Sequence, residues 1–486
     1  MNPSRQEAAP HTPCPLYRKC GGCQLQNMDY PRQLHWKQEQ VQRLLGRFCK
    51  ARPIIGMEHP YHYRNKVQAA FAWDKRRNIV SGVYQASTHR VVPVESCMTE
   101  DETADRIMAT IRGLMKGFHM TPYDEVTGRG FLRHVLVRRG FATNQVMVVM
   151  VTGTPVFPAK NNFCRALRQA HPEVTTIVQN INDRYTSMVL GEREKVLWGP
   201  GYIEDVLCGC TFRISPRSFY QINPVQTEIL YRTAIDFAGL TGKETVLDAY
   251  CGVGTIGLAA AKQGAGRVIG VELNRDAVRD AKANAKASGI TNAQFICADA
   301  GEFMVDLAQS GETVDVVFMD PPRAGSDEAF LSSLCRLSPK RVVYISCNPE
   351  TQARDLRYLT AHGWKVQALQ PVDMFPHTNH IETVAVLSRK SATKTFIPVT
   401  VSPKDMGLDE AKAQPTYENI RKYVKETHGL TVSTLNIAQM KAECGLEMEC
   451  DRSGGKQQPK CPPEKREAIL DAFRHFGMIE DDSSEG

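Results

Sequence analysis

No apolar stretch of this sequence approaches the ~20 residues that a membrane-spanning helix needs, so a membrane protein of that kind is not expected. The first thirteen residues, Met1 to Pro13, are polar and lack the apolar centre of a secretory signal. Internal repeats and long low-complexity tracts are missing too, which sets aside solenoids and arrays. The default compartment is then the cytoplasm, and a monomer is the default state.

What the chain does have is length and cysteine. Its 486 residues exceed a comfortable single core, so two to four domains are expected. The balance of 42% hydrophobic and 23% charged residues is ordinary for a globular chain. A formal net charge of +7 suits a polyanionic partner without demanding one. Fifteen cysteines are many for a compartment where disulfides are rarely stable. They read as metal ligands, reactive thiols or small buried hydrophobes.

Four stretches differ in texture. Residues 1–100 hold a tight cysteine group and an amphipathic helix near Tyr30–Phe48, where Leu34, Val41, Leu44, Leu45 and Phe48 recur at helical spacing. Residues 101–213 belong to a β-rich region whose short strands begin near residue 62, among them Val67–Phe71, Val135–Val137, Val146–Val151 and Thr176–Ile181. Arg64, Lys66, Lys75, Arg76, Arg77, Arg133, Arg138 and Arg139 lie there among Tyr63, Phe71, Trp73 and Phe131. Such a mixture suits either a platform for single-stranded RNA or a plain solvated strand face.

Residues 214–391 switch to strand, glycine turn, helix. Val246–Asp248, Val268–Val271, Gln294–Ala298, Val314–Met319 and Val342–Ile345 are buried-strand runs, the rhythm of a doubly wound, Rossmann-like α/β sheet. Thr383–Leu387 is expected to close its edge. A polar linker from 392 to about 416 precedes a small helical module, 415–480, with helices at Tyr417–Thr427, Val432–Cys444 and Pro463–His475.

Gly252, Gly254 and Gly257 lie between the first strand and first helix of the α/β region, where glycines let the backbone approach a ligand at a helix N-terminus. That pattern alone also fits dinucleotides. Acidic residues add to it: Asp248 opens the turn, and Glu272 ends the second strand, placed to accept both ribose hydroxyls of a nucleoside. Asp299 ends the third strand, within reach of an adenine amino group, and Asp320-Pro-Pro-Arg323 ends the fourth. This order resembles class I S-adenosylmethionine-dependent methyltransferases.

Cys347 ends the strand Arg341–Ser346, at the end of the sheet where ligands bind in such folds. A cationic ligand, a helix N-terminus and Arg323 there are expected to lower its pKa. Glu382 precedes the last strand, in a segment with His377 and His380 that reads as a positioning loop rather than a metal pair. Phe219-Tyr-Gln221, Leu247–Gly252, Asp320–Arg323, Ser346–Pro349 and His377–Glu382 together resemble the RNA (uracil-5-)-methyltransferase family, in order and spacing, over roughly residues 12–390.

That resemblance implies S-adenosylmethionine as cofactor, RNA as partner and 5-methyluridine as product. Carbon 5 of uracil is a poor nucleophile, so a thiolate must add at carbon 6 and a base must later take the carbon 5 proton. By motif, Cys347 would be the nucleophile and Glu382 the base. Gln221, Tyr250, Glu272, Asp299 and Asp320 would hold the cofactor, and Phe219 would stack on an extruded uracil. Large-subunit (23S) ribosomal RNA is the favoured substrate and transfer RNA the alternative. An amino-group methyltransferase expects an aromatic residue where Arg323 stands. A non-catalytic iron–sulfur RNA-binding protein expects no role for Cys347.

Cys14, Cys20 and Cys23, with Cys97 as a candidate fourth ligand, suit a four-iron, four-sulfur cluster or zinc. Some members of the family carry an iron–sulfur cluster on this pattern, which favours the cluster, in a structural or RNA-contacting role. Two features depart from the family. Many ribosomal RNA relatives begin with a β-barrel, whereas 13 residues precede Cys14 here, and the C-terminal module lies outside the match. RNA delivery is then expected from the central β region or from that module. Its segment Thr434–Lys441 reads as a nucleic-acid-reading helix or, more simply, as a docking or core helix. Cys444, Cys450 and Cys461 form only a weak metal pattern.

Overall fold

A computed structural model describes residues 14–85, 88, 90–389, 416–444, 446 and 461–479. The N-terminal segment before Cys14, the polar linker from 392 to 415 and Cys450 lie outside the described residues. Helix α1 (Tyr17–Cys20) is followed by α2 (Tyr30–Leu45), which starts where Asp29 accepts a hydrogen bond from the Arg32 amide and Pro31 fills the first turn. Val41 and Leu45 of α2 sit in the same core cluster as Leu247, Tyr344 and Leu387 of the α/β sheet. The helix near the cysteine group is thus a covering layer of the α/β sheet.

The central region is a seven-stranded sheet ordered β3-β2-β1-β4-β5-β6-β7. Its elements are β1 (Lys66–Trp73), β2 (Ile79–Tyr84), β3 (Val91–Pro93), α3 (Glu102–Gly117), β4 (Leu132–Arg139), β5 (Val146–Thr152), α4 (Lys160–Ala170), β6 (Val174–Ile181) and β7 (Arg193–Trp198). Because β1 pairs with both β2 and β4, the division expected at residue 100 falls inside this sheet. Leu136, Met147, Val149 and Val178 share a core with Ile256 and Val268, so the boundary near 213 is also bridged by packing.

The expected basic and aromatic platform is largely interior. Tyr63, Phe71, Phe131, Arg133 and Arg138 are all buried. Arg133 makes two bonds to the Glu125 carboxylate, at 2.9 and 2.6 Å, and Arg138 donates to the Ser218 carbonyl at 2.7 Å. Strand residues on a sheet covered by α3 and α4 must face a core, and cations survive there only when paired. What stays outside is the tip of the β1–β2 hairpin: Trp73, Lys75, Arg76 and Arg77 are exposed.

A two-stranded hairpin, β8 (Ile203–Leu207) and β9 (Cys210–Ile214), leads into α5 (Pro224–Ala238). The α/β sheet then builds from β10 (Thr245–Asp248), α6 (Thr255–Lys262), β11 (Arg267–Glu272), α7 (Arg275–Ala287), β12 (Ala293–Cys297), α8 (Ala300–Ser310), β13 (Val316–Met319) and α9 (Glu328–Leu337). It is completed by β14 (Arg341–Ser346), α10 (Pro349–Ala361), β15 (Trp364–Val372) and β16 (Glu382–Arg389). The strand order is β12-β11-β10-β13-β14-β16-β15. Six strands run in one direction, and β16 alone runs antiparallel, to its neighbours β14 and β15. The expectation that Thr383–Leu387 closes the edge is corrected: β16 lies between β14 and β15, and β15 is the edge. A return strand reaching the interior position of a sheet is decided by β14–β16 pairing, which has no local signature.

Helices α11 (Tyr417–His428), α12 (Thr434–Glu443) and α13 (Pro463–His475) form their own apolar cluster around Ile420, Ile437 and Phe473. Asp306 of α8 receives Arg421 and Thr434, while Ser433 donates to Glu312 at 2.9 Å. Asn436 through Lys441 are buried throughout. Along Asn436–Lys441, α12 thus packs as a core and docking helix. Among the described residues, no helix is long and apolar enough to cross a membrane.

Candidate active site

The glycine turn after β10 is built around two carboxylates. Gly257 sits with Asp248 Oδ2 accepting its amide at 2.8 Å, and a Cβ on Gly257 would stand 3.0 Å from that same oxygen. Gly254 has φ +85°, and a Cβ there would meet the Phe295 ring at 2.9 Å. Glu272, ending β11, accepts from the amides of Gly252 at 3.1 Å and Asn274 at 2.8 Å. Its neighbour Leu273 is an exposed apolar side chain at the same rim. Asp299 caps α8, with Oδ1 accepting from Gly301 and Glu302.

Asp248 is fully buried, and its second oxygen, Oδ1, has no hydrogen-bond partner. Burial pushes this carboxyl up to about 7. An orphaned buried acceptor beside a glycine turn is the feature that a ligand bearing a cationic or amide donor would satisfy. Tyr231 is bonded to Thr255 Oγ1 at 3.1 Å, and burial together with Asp320 raises the proton affinity of its hydroxyl. In sequence this tyrosine has no distinguishing mark, because it sits mid-helix in α5 among ordinary core residues. Tyr250 bonds Ser326 Oγ at 3.1 Å.

Ser346-Cys347-Asn348-Pro349 is a strand end, a turn and a helix start in four residues. Asn348 caps α10 by accepting from the Glu350 amide at 3.1 Å, and Pro349 takes the first helical position. Cys347 is left in the turn at the carboxyl end of β14. The Arg323 carbonyl accepts from Asn348 Nδ2 at 3.2 Å and Thr351 Oγ1 at 3.1 Å, which ties the Asp320-Pro-Pro-Arg323 turn to the cysteine turn.

Because β16 is antiparallel, its first residue lies at the carboxyl end of the parallel strands. The register pairs Ser346 with Thr383. The pairing ends there, and Cys347 and Glu382 are the next residues beyond it, Cys347 in the turn after β14 and Glu382 at the start of β16. Electrostatics agree with that placement. Burial raises the Cys347 thiol to about 11, with Glu382 and Asp320 adding to the rise and Arg323 opposing it. Glu382 is 5% exposed and is pushed well above the carboxylate range by burial and by Asp320, again opposed by Arg323. Burial also lifts Asp320 to about 7. Among the protein's own groups, two carboxyls and a dry turn thus outweigh one guanidinium at this thiol.

Phe219 stands apart at the surface, 72% exposed. Its neighbours are pinned inward: Ser218 donates to Asp280 at 3.0 Å, and Tyr220 donates to Asp205 at 3.3 Å. A phenyl ring held out by two anchored flanks is available for stacking. His377 is buried, with its ring nitrogens at 3.1 Å from Gln33 Nε2 and 2.9 Å from the Pro60 carbonyl, so it is a structural residue.

At the other end of the chain, Cys14, Cys20, Cys23 and Cys97 line one cavity with Tyr17 and Met98. Four soft thiol donors on one cavity are a donor set that suits iron or zinc. Among the described residues, no group of three or more His, Cys, Asp or Glu is drawn together closely enough to hold a metal ion as it stands.

The family model described as tRNA (Uracil-5-)-methyltransferase matches residues 191–390. An uncharacterized RNA methyltransferase of Halalkalibacterium halodurans is 46% identical over 395 residues, covering 80% of this chain and 85% of that one. Its counterpart in Clostridium acetobutylicum is 42% identical over 77% of this chain and 83% of its own. Among solved structures, the Pyrococcus abyssi tRNA (uracil-54, C5)-methyltransferase in complex with S-adenosyl-L-homocysteine superposes with a TM-score of 0.65 at 28% identity, over 75% of this chain and 85% of that chain. A fold, a motif order and a relative matched along most of its length all agree, and the chain belongs to the RNA (uracil-5-)-methyltransferase family.

Proposed function

We propose that this protein transfers a methyl group from S-adenosylmethionine to carbon 5 of a uridine in RNA. One observation carries the reading: the β14–β16 register ends at Ser346 and Thr383, next to Cys347 and Glu382, and Cys347 feels the Glu382 carboxyl at the end of the sheet that also bears the glycine turn. Bound S-adenosylmethionine supplies an electrophilic methyl on a cationic sulfur. Glu272 is positioned for its ribose hydroxyls, Asp299 for its adenine, and Gln221, Tyr250 and Asp320 for the rest of the molecule, while the unpartnered Asp248 oxygen fits a cationic donor. Phe219 stacks on the extruded base. Cys347 gives up its thiol proton to water and adds as thiolate to carbon 6, which moves the electron pair toward carbon 5; carbon 5 then takes the methyl group as the bond from methyl to the donor's sulfur breaks. Glu382 removes the carbon 5 proton, the double bond re-forms and Cys347 leaves.

Ribosomal RNA of the large subunit is the first candidate substrate; the matching family and the solved relative favour transfer RNA as the second. Mapping 5-methyluridine in both RNAs from cells with and without the protein tests the reading. Loss of a site in either RNA names the substrate, and no lost site in any RNA removes the proposal.

RNA delivery falls to the exposed β1–β2 hairpin tip. Asp74 is spent on the turn, accepting from the Arg76 and Asn78 amides at 2.8 and 2.7 Å, which leaves Trp73, Lys75, Arg76 and Arg77 facing outward. Reversing the three cations to Glu is expected to raise KM for RNA about tenfold or more. The slope of log affinity against log salt should fall by about one unit for each phosphate that is no longer neutralised. Titration at several salt concentrations measures both.

The four cysteines are read as ligands of a [4Fe-4S] cluster, with zinc the alternative, in the cytoplasm's reducing conditions. Protein purified without oxygen should be brown, contain iron, and lose its visible absorbance in a Cys20→Ser/Cys23→Ser variant. Colourless wild-type protein with one zinc per chain would decide for zinc.

A further inference from the structure

Between β15 and β16 the chain runs from Asp373 to Ile381 with no regular structure, and Asp373, Met374, Pro376, His377 and Thr378 are nevertheless buried. A buried irregular segment must have its backbone groups answered from elsewhere. Five successive carbonyls are answered by five different remote donors. Gln226 Nε2 reaches Asp373 at 2.9 Å, Asn223 Nδ2 reaches Met374 at 2.9 Å, and Lys37 Nζ reaches Phe375 at 3.0 Å. The Tyr63 hydroxyl reaches Pro376 at 2.9 Å, and the Leu25 amide reaches His377 at 2.9 Å. Three of these donors belong to the N-terminal region, and Leu25 lies two residues beyond Cys23.

The side chains lock the same segment. Lys37 and Asp373 form an ion pair at 2.6 Å with both side chains fully buried, and Tyr30 donates to the other Asp373 oxygen at 2.8 Å. His377 holds φ +69°, a left-handed conformation costly for a side chain with a Cβ. Its amide donates to Gln33 Oε1 at 2.9 Å, and its ring stacks on Tyr61 with centroids 4.8 Å apart. The segment ends at Glu382, the first residue of β16.

We propose that Lys37 and Asp373 are positioning residues for Glu382, and that the N-terminal region serves catalysis by holding this segment rigid. The inference rests on Glu382 being the base. It predicts a defect confined to the last step, in which Glu382 takes the carbon 5 proton, the carbon 5–carbon 6 double bond re-forms and the bond from carbon 6 to Cys347 sulfur breaks. Addition and methyl transfer do not use that carboxylate.

The test compares Lys37→Met, Tyr63→Phe and Glu382→Gln in the full chain. With ordinary RNA, Lys37→Met is expected to lower kcat between about tenfold and a hundredfold, with KM for S-adenosylmethionine nearly unmoved and a methylated protein–RNA adduct visible on denaturing gels. Tyr63→Phe, the gentler change, should do the same to a smaller extent and carries the test where Lys37→Met does not fold. With 5-fluorouridine RNA, carbon 5 has no proton to lose, so both variants should form adduct as the wild type does. Lys37→Arg, which keeps the charge, should recover part of kcat. Unchanged turnover, or turnover and 5-fluorouridine adduct falling together in a folded variant, overturns the proposal. If Glu382→Gln itself accumulates no adduct, the base assignment falls; if it does and Lys37→Met and Tyr63→Phe do not, only the positioning role falls.

Discussion

Cys347→Ala is expected to abolish methyl transfer, by on the order of 10⁴-fold or more, while leaving the fold and S-adenosylmethionine binding in place. The side chain is half-buried in a turn whose geometry is set by the Asn348 cap and Pro349 rather than by the sulfur. Removing it therefore deletes a nucleophile and little packing. Without a carbon 6 substituent, carbon 5 of uracil does not attack a methyl group, so no other residue of the site substitutes for the thiol. Incubation with 5-fluorouridine RNA and S-adenosylmethionine reads this directly: wild type forms a gel-stable adduct and Cys347→Ala forms none. Methylation surviving in Cys347→Ala would remove the addition–elimination route. Cys347→Ser separates nucleophile from size, since a hydroxyl fills the same space and is expected to be equally inactive.

Glu382→Gln is expected to lower turnover by about 10²–10⁴-fold, the usual contribution of a general base, and to trap rather than prevent the covalent species. Burial and the neighbouring Asp320 raise the proton affinity of this carboxyl. A high proton affinity makes a carboxylate a stronger base at the moment it faces a carbon acid. Glutamine keeps the volume and loses the function. Adduct should then build up on unmodified RNA within one turnover, already carrying the methyl group. Equal activity of Glu382→Gln and wild type, or loss of adduct in the variant, would each remove the assignment. The neutral amide also relieves the field on Cys347, so its thiol pKa should fall from about 11. Iodoacetamide alkylation of the free enzyme, followed against pH, measures that shift.

The α/β half was readable because parallel strands are buried on both faces and leave continuous apolar runs. Val246–Asp248 and Val342–Ile345 lie in β10 and β14, and Val314–Met319 overshoots β13 by two residues. Edge strand β15 carries a weaker local signal. Its run Trp364–Val372 alternates apolar and polar at the start, carries Pro371, and reads as loop until β16 pairs with it. The central region was harder for another reason. A count of arginines and aromatics says nothing about which face of a strand they occupy. Arg133 and Arg138 turn out to be buried and bonded, while Arg76 and Arg77 stay in solvent.

The residues of the candidate site were legible one motif at a time. Cys347 and Glu382 stand 35 positions apart, and nothing local says that they meet. Local rules did determine the glycine turn, the cap that presents Cys347 and the acidic strand ends, because each depends on a few successive backbone angles or on a side chain reaching its own helix. Tertiary structure alone decided three things. It brought the end of β14 to the start of β16 through an antiparallel register, and burial beside Asp320 raised the proton affinity of Cys347 and Glu382. It also bound the Asp373–Ile381 segment to donors from Leu25, Lys37 and Tyr63, more than 300 residues away in sequence. Dielectric surroundings and long-range hydrogen bonds arise only when distant segments pack, so they have no counterpart in any short stretch of chain.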